Sequence, residues 1–273
     1  MDSKIKNIPI DDLKYLYDFY NKKNYPWLYL TKEGTLIKNS MGSPNVPKNL
    51  SERLLYVGSI PAIDGYTRPL SLLNDPKQGI YGYEQTFLKD YKSLDDIISK
   101  LSKENKFTMS LKDKKNMCLK LLETLKKINQ YYYIGDISLQ NLMLGKNDIQ
   151  IIDWENGTPV NKRYEILSLY NIEDLDNVGQ LDAFKMFLAC ISVLYEYDIQ
   201  IACAMESLGD IEGIFKYAKL NREILEYMKD FIYEVNTKSG RIPYFDEYLK
   251  HIKNVKVSEK KRVRQRHIYR LYF

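Results

Sequence analysis

The stretch of residues 133–157, YIGDISLQNLMLGKNDIQIIDWENG, constrains this chain more than any other. Its two apolar runs, NLML and IQII, have the length of short strands and are too small to hold a structure alone. Gly135-Asp136 marks a turn before the first run, and Gly145 to Asp148 forms the turn between the two. The pattern predicts that Asp136, Asn141 and Asp153 meet at a common mouth, because Asp153 follows a buried strand while Asp136 and Asn141 bracket a tight loop. Oxygen-bearing side chains with no His or Cys nearby suit Mg²⁺, which binds through one or two carboxylates together with substrate phosphates. Phosphoryl transfer is the chemistry that wants this set: a carboxylate orients or deprotonates the attacking hydroxyl, and metal ions neutralise charge on the phosphates.

Composition narrows the setting of that site. With 273 residues, 44% hydrophobic and 28% charged, the chain buries a large core as one big domain or two packed lobes, and neither a disordered nor a fibrous class fits. The N-terminal MDSKIKNIPIDDLKYLYDFY is charged and amphipathic, and no window approaches the apolar length of a membrane span, so neither secretion nor membrane insertion is expected. Cys118, Cys190 and Cys203 are widely spaced, as suits reduced core thiols and a cytoplasmic location. His251 and His267 are the only histidines, which disfavours a His base or a His-ligated metal. The net charge of +5 is uneven: Lys260, Lys261, Arg262, Arg264, Arg266 and Arg270 crowd the tail. A solvated terminal segment is the first expectation for it, and contact with nucleic acid or an acidic partner the second.

Hydrophobic periodicity predicts an α+β chain. Residues 10–23, IDDLKYLYDFYNKK, have helical spacing, and PWLYLTKEGTLIKNS reads as two strands around a turn at Glu33-Gly34. PKNLSERLLYVGSI reads as a short helix with Ser51 as its candidate cap, and GYTRPLSLLND and GIYGYEQTFL as two strands joined by DPKQG. SLDDIISKLSKE and SLKDKKNMCLKLLETLKKINQYY are helical, and nearly every segment from about Asp182 onward has helical period. The expected division is residues 1–85, an N-terminal helix plus a small antiparallel sheet, and residues 86–273, largely helical and carrying the 133–157 loops and the basic tail.

On these motifs the chain resembles the protein-kinase-like superfamily, which includes eukaryotic-type protein kinases and aminoglycoside or choline phosphotransferases. GDISLQN is similar to a D-x-x-x-x-N catalytic loop, and IIDWENG to a strand followed by a metal-holding Asp. The resemblance implies a two-lobed fold binding ATP and Mg²⁺, with Asp136 as catalytic base and Asn141 and Asp153 as metal ligands. LIKNS resembles the strand with the phosphate-contacting lysine, so Lys38 takes that role and Glu52 is its implied ion-pair partner. GYEQTFLKDYKSL resembles the hinge lining the adenine pocket, where Thr86 and Leu88 fall. LDAFKMFLACISVLY resembles the buried helix whose leading Asp, here Asp182, braces the catalytic loop; a cap at the start of that helix is its local alternative. Glu155 is expected to point to water.

The bare Gly135-Asp136 and the Asp-Trp-Glu at residues 153–155 are more similar to the small-molecule phosphotransferases than to protein kinases. Only Gly34 precedes Lys38 where a Gly-rich loop stands in kinases, and no Ala-Pro-Glu motif follows Asp153. The hydroxyl acceptor is thus open between a protein and a small molecule, and a pseudokinase that binds without turnover is the alternative from a different class.

Overall fold

The computed structural model describes residues 4–44, 46–98, 109–146, 148–160, 178–196, 226 and 245–256, with backbone alone at 178–181. The architecture is α+β, strand-rich in its N-terminal part with helices later in the chain. Six strands form the main sheet in the order β1-β5-β6-β4-β3-β2: β1 Lys4–Asn7, β2 Asp18–Asn21, β3 Tyr25–Leu30, β4 Thr35–Asn39, β5 Ser71–Asp75 and β6 Gly79–Thr86. All neighbours pair antiparallel except β1, which lies parallel to β5 at the edge.

Two of these hairpins follow from local chemistry. Gly34 adopts φ +78° between β3 and β4, a left-handed conformation that glycine reaches without steric cost. Asp75 closes the β5–β6 turn by accepting the amides of Lys77 and Gln78, with Gly79 at φ +82°. The predicted helix over 10–23 is a correction. Helical backbone covers only residues 10–16, as a 3₁₀ turn at Ile10–Asp12 and a short α1 at Leu13–Leu16, before the chain enters β2. Pairing with β3 overrides the helical spacing: Phe19 lies opposite Tyr29, their rings 4.8 Å apart, and Leu13 is buried with Tyr29, Ile37, Leu73 and Tyr81 on the sheet's outer face. The sheet is therefore mixed, and β1, absent from the sequence expectation, extends it by a parallel strand.

The helix α2, Leu50–Ser59, packs its buried Leu50, Leu54 and Val57 against the sheet's other face, together with Leu72 and Tyr83. Asn49, with φ 58°, occupies its N-cap position, not Ser51, whose hydroxyl instead donates to the Ile80 carbonyl at 2.6 Å. Helical backbone also runs through 94–98, and the longer helices among the described residues are α3 Leu111–Ile128, α4 Val178–Tyr195 and α5 Phe245–Asn254. Ser110 caps α3 by accepting the Asp113 amide at 3.2 Å, and α3 buries Met117, Cys118, Leu121, Leu122, Leu125 and Ile128 at helical spacing. Between Phe184 and Leu194, α4 is buried throughout, and α5 stacks Tyr248 on Phe187 at 4.8 Å. Cys118 and Cys190 are free, buried and face each other across α3 and α4; Cys203 and the basic tail lie outside the described residues. Among the described residues no helix is long and apolar enough to cross a membrane.

After β6 the chain pairs in a second, three-stranded sheet, β10-β9-β7, made of β7 Lys92–Ser93, β9 Leu142–Leu144 and β10 Ile149–Ile151. A third ladder joins β8 Tyr132–Tyr133 to β11 Thr158–Pro159. The 65–67 segment crosses to β10: Ile151 N–H donates to Gly65 O at 2.9 Å, and Thr67 N–H to Ile151 O at 3.1 Å. Trp154, fully buried, donates its indole N–H to Thr67 O at 2.9 Å and lies 4.6 Å from the Tyr83 ring of β6. One continuous core therefore runs from α2 and β6 through the 133–157 loops into α3, α4 and α5.

Candidate active site

Four separate elements deliver polar side chains to one place. The first is β4, where Lys38 lies opposite Leu28 of β3 and Tyr83 of β6, so its side chain shares the α2-facing side of the sheet with Tyr83. The second is the loop after β10, which turns at Asp153 with φ 63°. Asp tolerates this left-handed conformation better than most residues, and a non-glycine residue held there marks a point that its surroundings over-determine. The Lys38 ammonium pairs with the Asp153 carboxylate and, at 2.5 Å, with Glu155. Glu155 is buried, at 3% exposure, and accepts the Tyr83 hydroxyl at 2.9 Å.

That arrangement corrects two expectations. Lys38 takes Glu155 as its second carboxylate, whereas Glu52 sits exposed in the first turn of α2. Glu155 does not point to water. The cause is the packing of Trp154, which plugs the core between Tyr83 and the 65–67 segment and leaves the flanking Asp153 and Glu155 both directed at Lys38. From α2 it is Arg53 that reaches the loop: buried at 1% exposure, it donates from Nη1 to the carbonyls of Asn156, at 2.8 Å, and Gly157. Gly157 admits no side chain, since a Cβ there would collide with the Tyr133 carbonyl and the Tyr132 ring.

The third element is the loop between β8 and β9. Asn141, at the end of a 3₁₀ turn and 8% exposed, donates from Nδ2 to the Asp136 carbonyl at 3.0 Å and to its carboxylate at 3.3 Å. The fourth is α4. Asp182, fully buried, accepts the backbone amides of Ile134 at 2.6 Å and Gly135 at 2.9 Å, while Lys185 donates to the Gly135 carbonyl at 2.7 Å. The residues just before Asp136 are thus clamped at both donors and acceptor. Because α4 begins at Val178, Asp182 lies inside the helix and is a brace for the neighbouring loop, not a cap of its own helix.

The electrostatics follow from this packing. Burial, and the neighbouring charge of Asp153, raise the Asp136 carboxyl above its ordinary value against the pull of Lys185, Asn141 and Lys38. Burial would lower the Lys38 ammonium, but the Glu155 and Asp153 carboxylates outweigh it and hold the group above its ordinary value. Burial also acts against both carboxylates: Lys38 keeps Asp153 below its ordinary value, and Glu155, crowded by Asp153, is pushed up to about 7. Asp182 is raised to about 6 by burial, moderated by Lys185 and the two amides it accepts.

Thr86 ends β6 opposite Thr35, on the face of the sheet away from Lys38, and Leu88 follows in the connection to β7, where its carbonyl accepts the Tyr91 amide at 3.2 Å. The turn between β2 and β3, the hairpin next to Lys38's strand, is Lys22-Lys23-Asn24 and holds no glycine. Among the described residues no three His, Cys, Asp or Glu side chains form a ready-made metal cluster. Asn141, Asp136 and Asp153 nevertheless present oxygen alone, and Asp153 keeps 29% of its side chain exposed, a donor set that fits a hard cation completing its shell with phosphate and water. Arg53 and Lys185 escaped the sequence reading although each carried a signal: Arg53 falls on the apolar stripe of α2, and Lys185 stands three residues after Asp182 in an otherwise apolar run.

No protein-family model matches this chain, and no curated protein matches it either.

Proposed function

We propose that this chain is an ATP- and Mg²⁺-dependent phosphotransferase of two-lobed, protein-kinase-like build, moving the γ-phosphate to a hydroxyl of a protein or small molecule. The convergence of Lys38, Asp136, Asn141 and Asp153 from separate elements carries this reading. Asp136 is the general base: its raised carboxyl is closer to the working range for proton transfer than a solvated Asp, and the Asp182–Lys185 clamp fixes the backbone that aims it. Lys38 holds a full positive charge in a desolvated position for the phosphate oxygens, kept there by Glu155 from below. Asn141 and Asp153 would hold Mg²⁺, which supplies neutralisation of phosphate charge. The base of the nucleotide would lie toward the end of β6 and the connection that carries Leu88, whereas Thr86 projects with Thr35 and Glu84 from the opposite face of the sheet.

Nucleotide-dependent thermal stabilisation, with and without Mg²⁺, tests the proposal. Nucleotide at about 100 times its dissociation constant adds about 2.7 kcal/mol. A shift that needs both ATP and Mg²⁺ is the expected result. The glycine-free Lys22-Lys23-Asn24 turn favours a second reading, a pseudokinase that scaffolds without turnover, and absence of any shift would select it.

A further inference from the structure

We propose that the groove between the start of α3 and the end of α5 is a docking site for an acidic segment of a partner protein, one that seats a large apolar side chain beside its carboxylates. The groove is separate from the Lys38 group, and its role does not depend on the phosphotransferase reading.

The two helices run antiparallel. Near one end Lys126 pairs with Asp246 at 2.9 Å, and near the other the Lys115 ammonium donates to the Lys253 carbonyl at 3.0 Å. At that second end lies a groove of about 360 Å³, lined by Leu111, Lys112, Lys115, Asn116 and Leu119 of α3 and by Lys253 of α5. The α3 residues follow one another at the three- and four-residue steps that share a helix face. α3 has 18 residues and is therefore about 27 Å long, and the loop that carries Asp136 follows its C-terminal end. The groove, at the N-terminal end, is thus remote from the candidate active site.

Two kinds of surface meet there. Leu119 packs on the main core and Leu111 remains 40% exposed, so the groove has an apolar wall, to which the lysine stems add methylene surface while their ammonium heads stay in water. Its charge is of one sign, because no described lining residue is acidic. Elsewhere on α3 the lysines come with carboxylates: Lys114 with Glu196 at 2.5 Å, Lys120 with Asp64 at 3.1 Å, and Lys126 with Asp246. Among the described residues Lys112 and Lys253 have no such partner, and Lys115 is held in place by the Lys253 carbonyl. An occupant must therefore bring both negative charge and an apolar anchor. A nucleic acid would use the charge but asks for aromatic stacking surface, and the lining is leucine. A second copy of this chain would approach with a net charge of +5. An acidic peptide segment with a leucine or phenylalanine among its carboxylates satisfies both requirements.

Fluorescence anisotropy on the full chain tests this with a labelled peptide repeating Asp-Leu-Glu-Leu. A peptide repeating Asp-Ser-Glu-Ser is the equally charged control without apolar anchors, and single-stranded oligo(dT) is the nucleic-acid probe. Wild type binds the leucine peptide about tenfold tighter than the serine peptide. Lys112→Glu with Lys253→Glu weakens the leucine peptide about tenfold, whereas the same charge change at Lys4→Glu with Lys14→Glu leaves it within about twofold. Both groove lysines are exposed, so the melting temperature holds, and Lys112→Ala with Lys253→Ala replaces the reversal if that variant does not fold. Equal losses in the two pairs, equal affinity for the two peptides, or no binding of the leucine peptide by wild type would each overturn the proposal. A loss seen only in Lys260→Gln with Lys261→Gln would move the contact to the basic tail. Oligo(dT) binding that the groove variants weaken would make the groove a nucleic-acid site, and a dimer in sedimentation that they disperse would assign it to a second copy; either overturns the acidic-segment assignment.

Discussion

Glu155→Gln separates the carboxylate cluster from an ordinary surface ion pair. Glu155 is buried between Lys38 and the Tyr83 hydroxyl, and burial, resisted by Lys38 and reinforced by Asp153, lifts its carboxyl from 4.5 to about 7. A carboxyl with a raised folded value binds its proton more tightly in the folded state. Its contribution to stability is fully present below the unfolded value and is lost as pH rises through the folded one. The window is therefore about pH 4.5 to 7, and the change across it is about 3 kcal/mol at roughly 1.4 kcal/mol for each pH unit. Asp153 shifts the other way and acts below that window, and Asp136 and Asp182, both raised by burial, are present in both proteins, so the difference between wild type and variant reports on Glu155 and the Asp153 carboxylate paired with it. Gln cannot ionise and keeps a carbonyl for Tyr83. Urea unfolding followed by tryptophan fluorescence at pH 5, 6, 7 and 8 should show wild type losing stability relative to Glu155→Gln by most of that amount. Parallel curves would refute the picture of a buried, proton-holding Glu155, and a matching effect in Glu52→Gln would return the Lys38 pairing to α2.

Asp153→Asn is expected to abolish Mg²⁺-dependent nucleotide turnover while leaving the unfolding free energy from urea titration within about 1 kcal/mol of wild type, since Asp153 is a partly exposed loop residue; turnover by a well-folded variant would remove Asp153 from the site. Lys38→Met leaves two adjacent carboxylates without their shared cation, and should lower turnover on the order of 100-fold; unchanged kinetics would move the phosphate contact elsewhere. Gly157→Ala forces a methyl group into the Tyr133 carbonyl and displaces the loop that Arg53 holds, costing roughly 3 kcal/mol by chemical denaturation; a neutral effect would show that the 153–157 loop is not packed as described.

Local pattern was enough to determine the elements whose partners are close in sequence. Gly34 and the Asp75–Gly79 turn specify two hairpins, the apolar stripe with Ser110 as cap specifies α3, and the NLML and IQII runs place Asp136, Asn141 and Asp153 at strand ends. Bracing of the loop by Asp182 was implied by the resemblance alone; local pattern offered a helix cap, and only the tertiary structure shows Asp182, inside α4, accepting the Ile134 and Gly135 amides. What residues 10–23 become was not: their spacing suits a helix, and only the outer-face packing of Phe19 on Tyr29 decides for β2. The partner of Lys38 was equally out of reach. Glu52 and Glu155 are both glutamates at plausible spacing, and the choice falls to tertiary packing, with Lys38 and Asp153 115 residues apart in the chain. Trp154 anchors in the core against Tyr83, on the same face of the sheet as Lys38, and that single buried ring turns Glu155 toward a cation that no local periodicity connects to it.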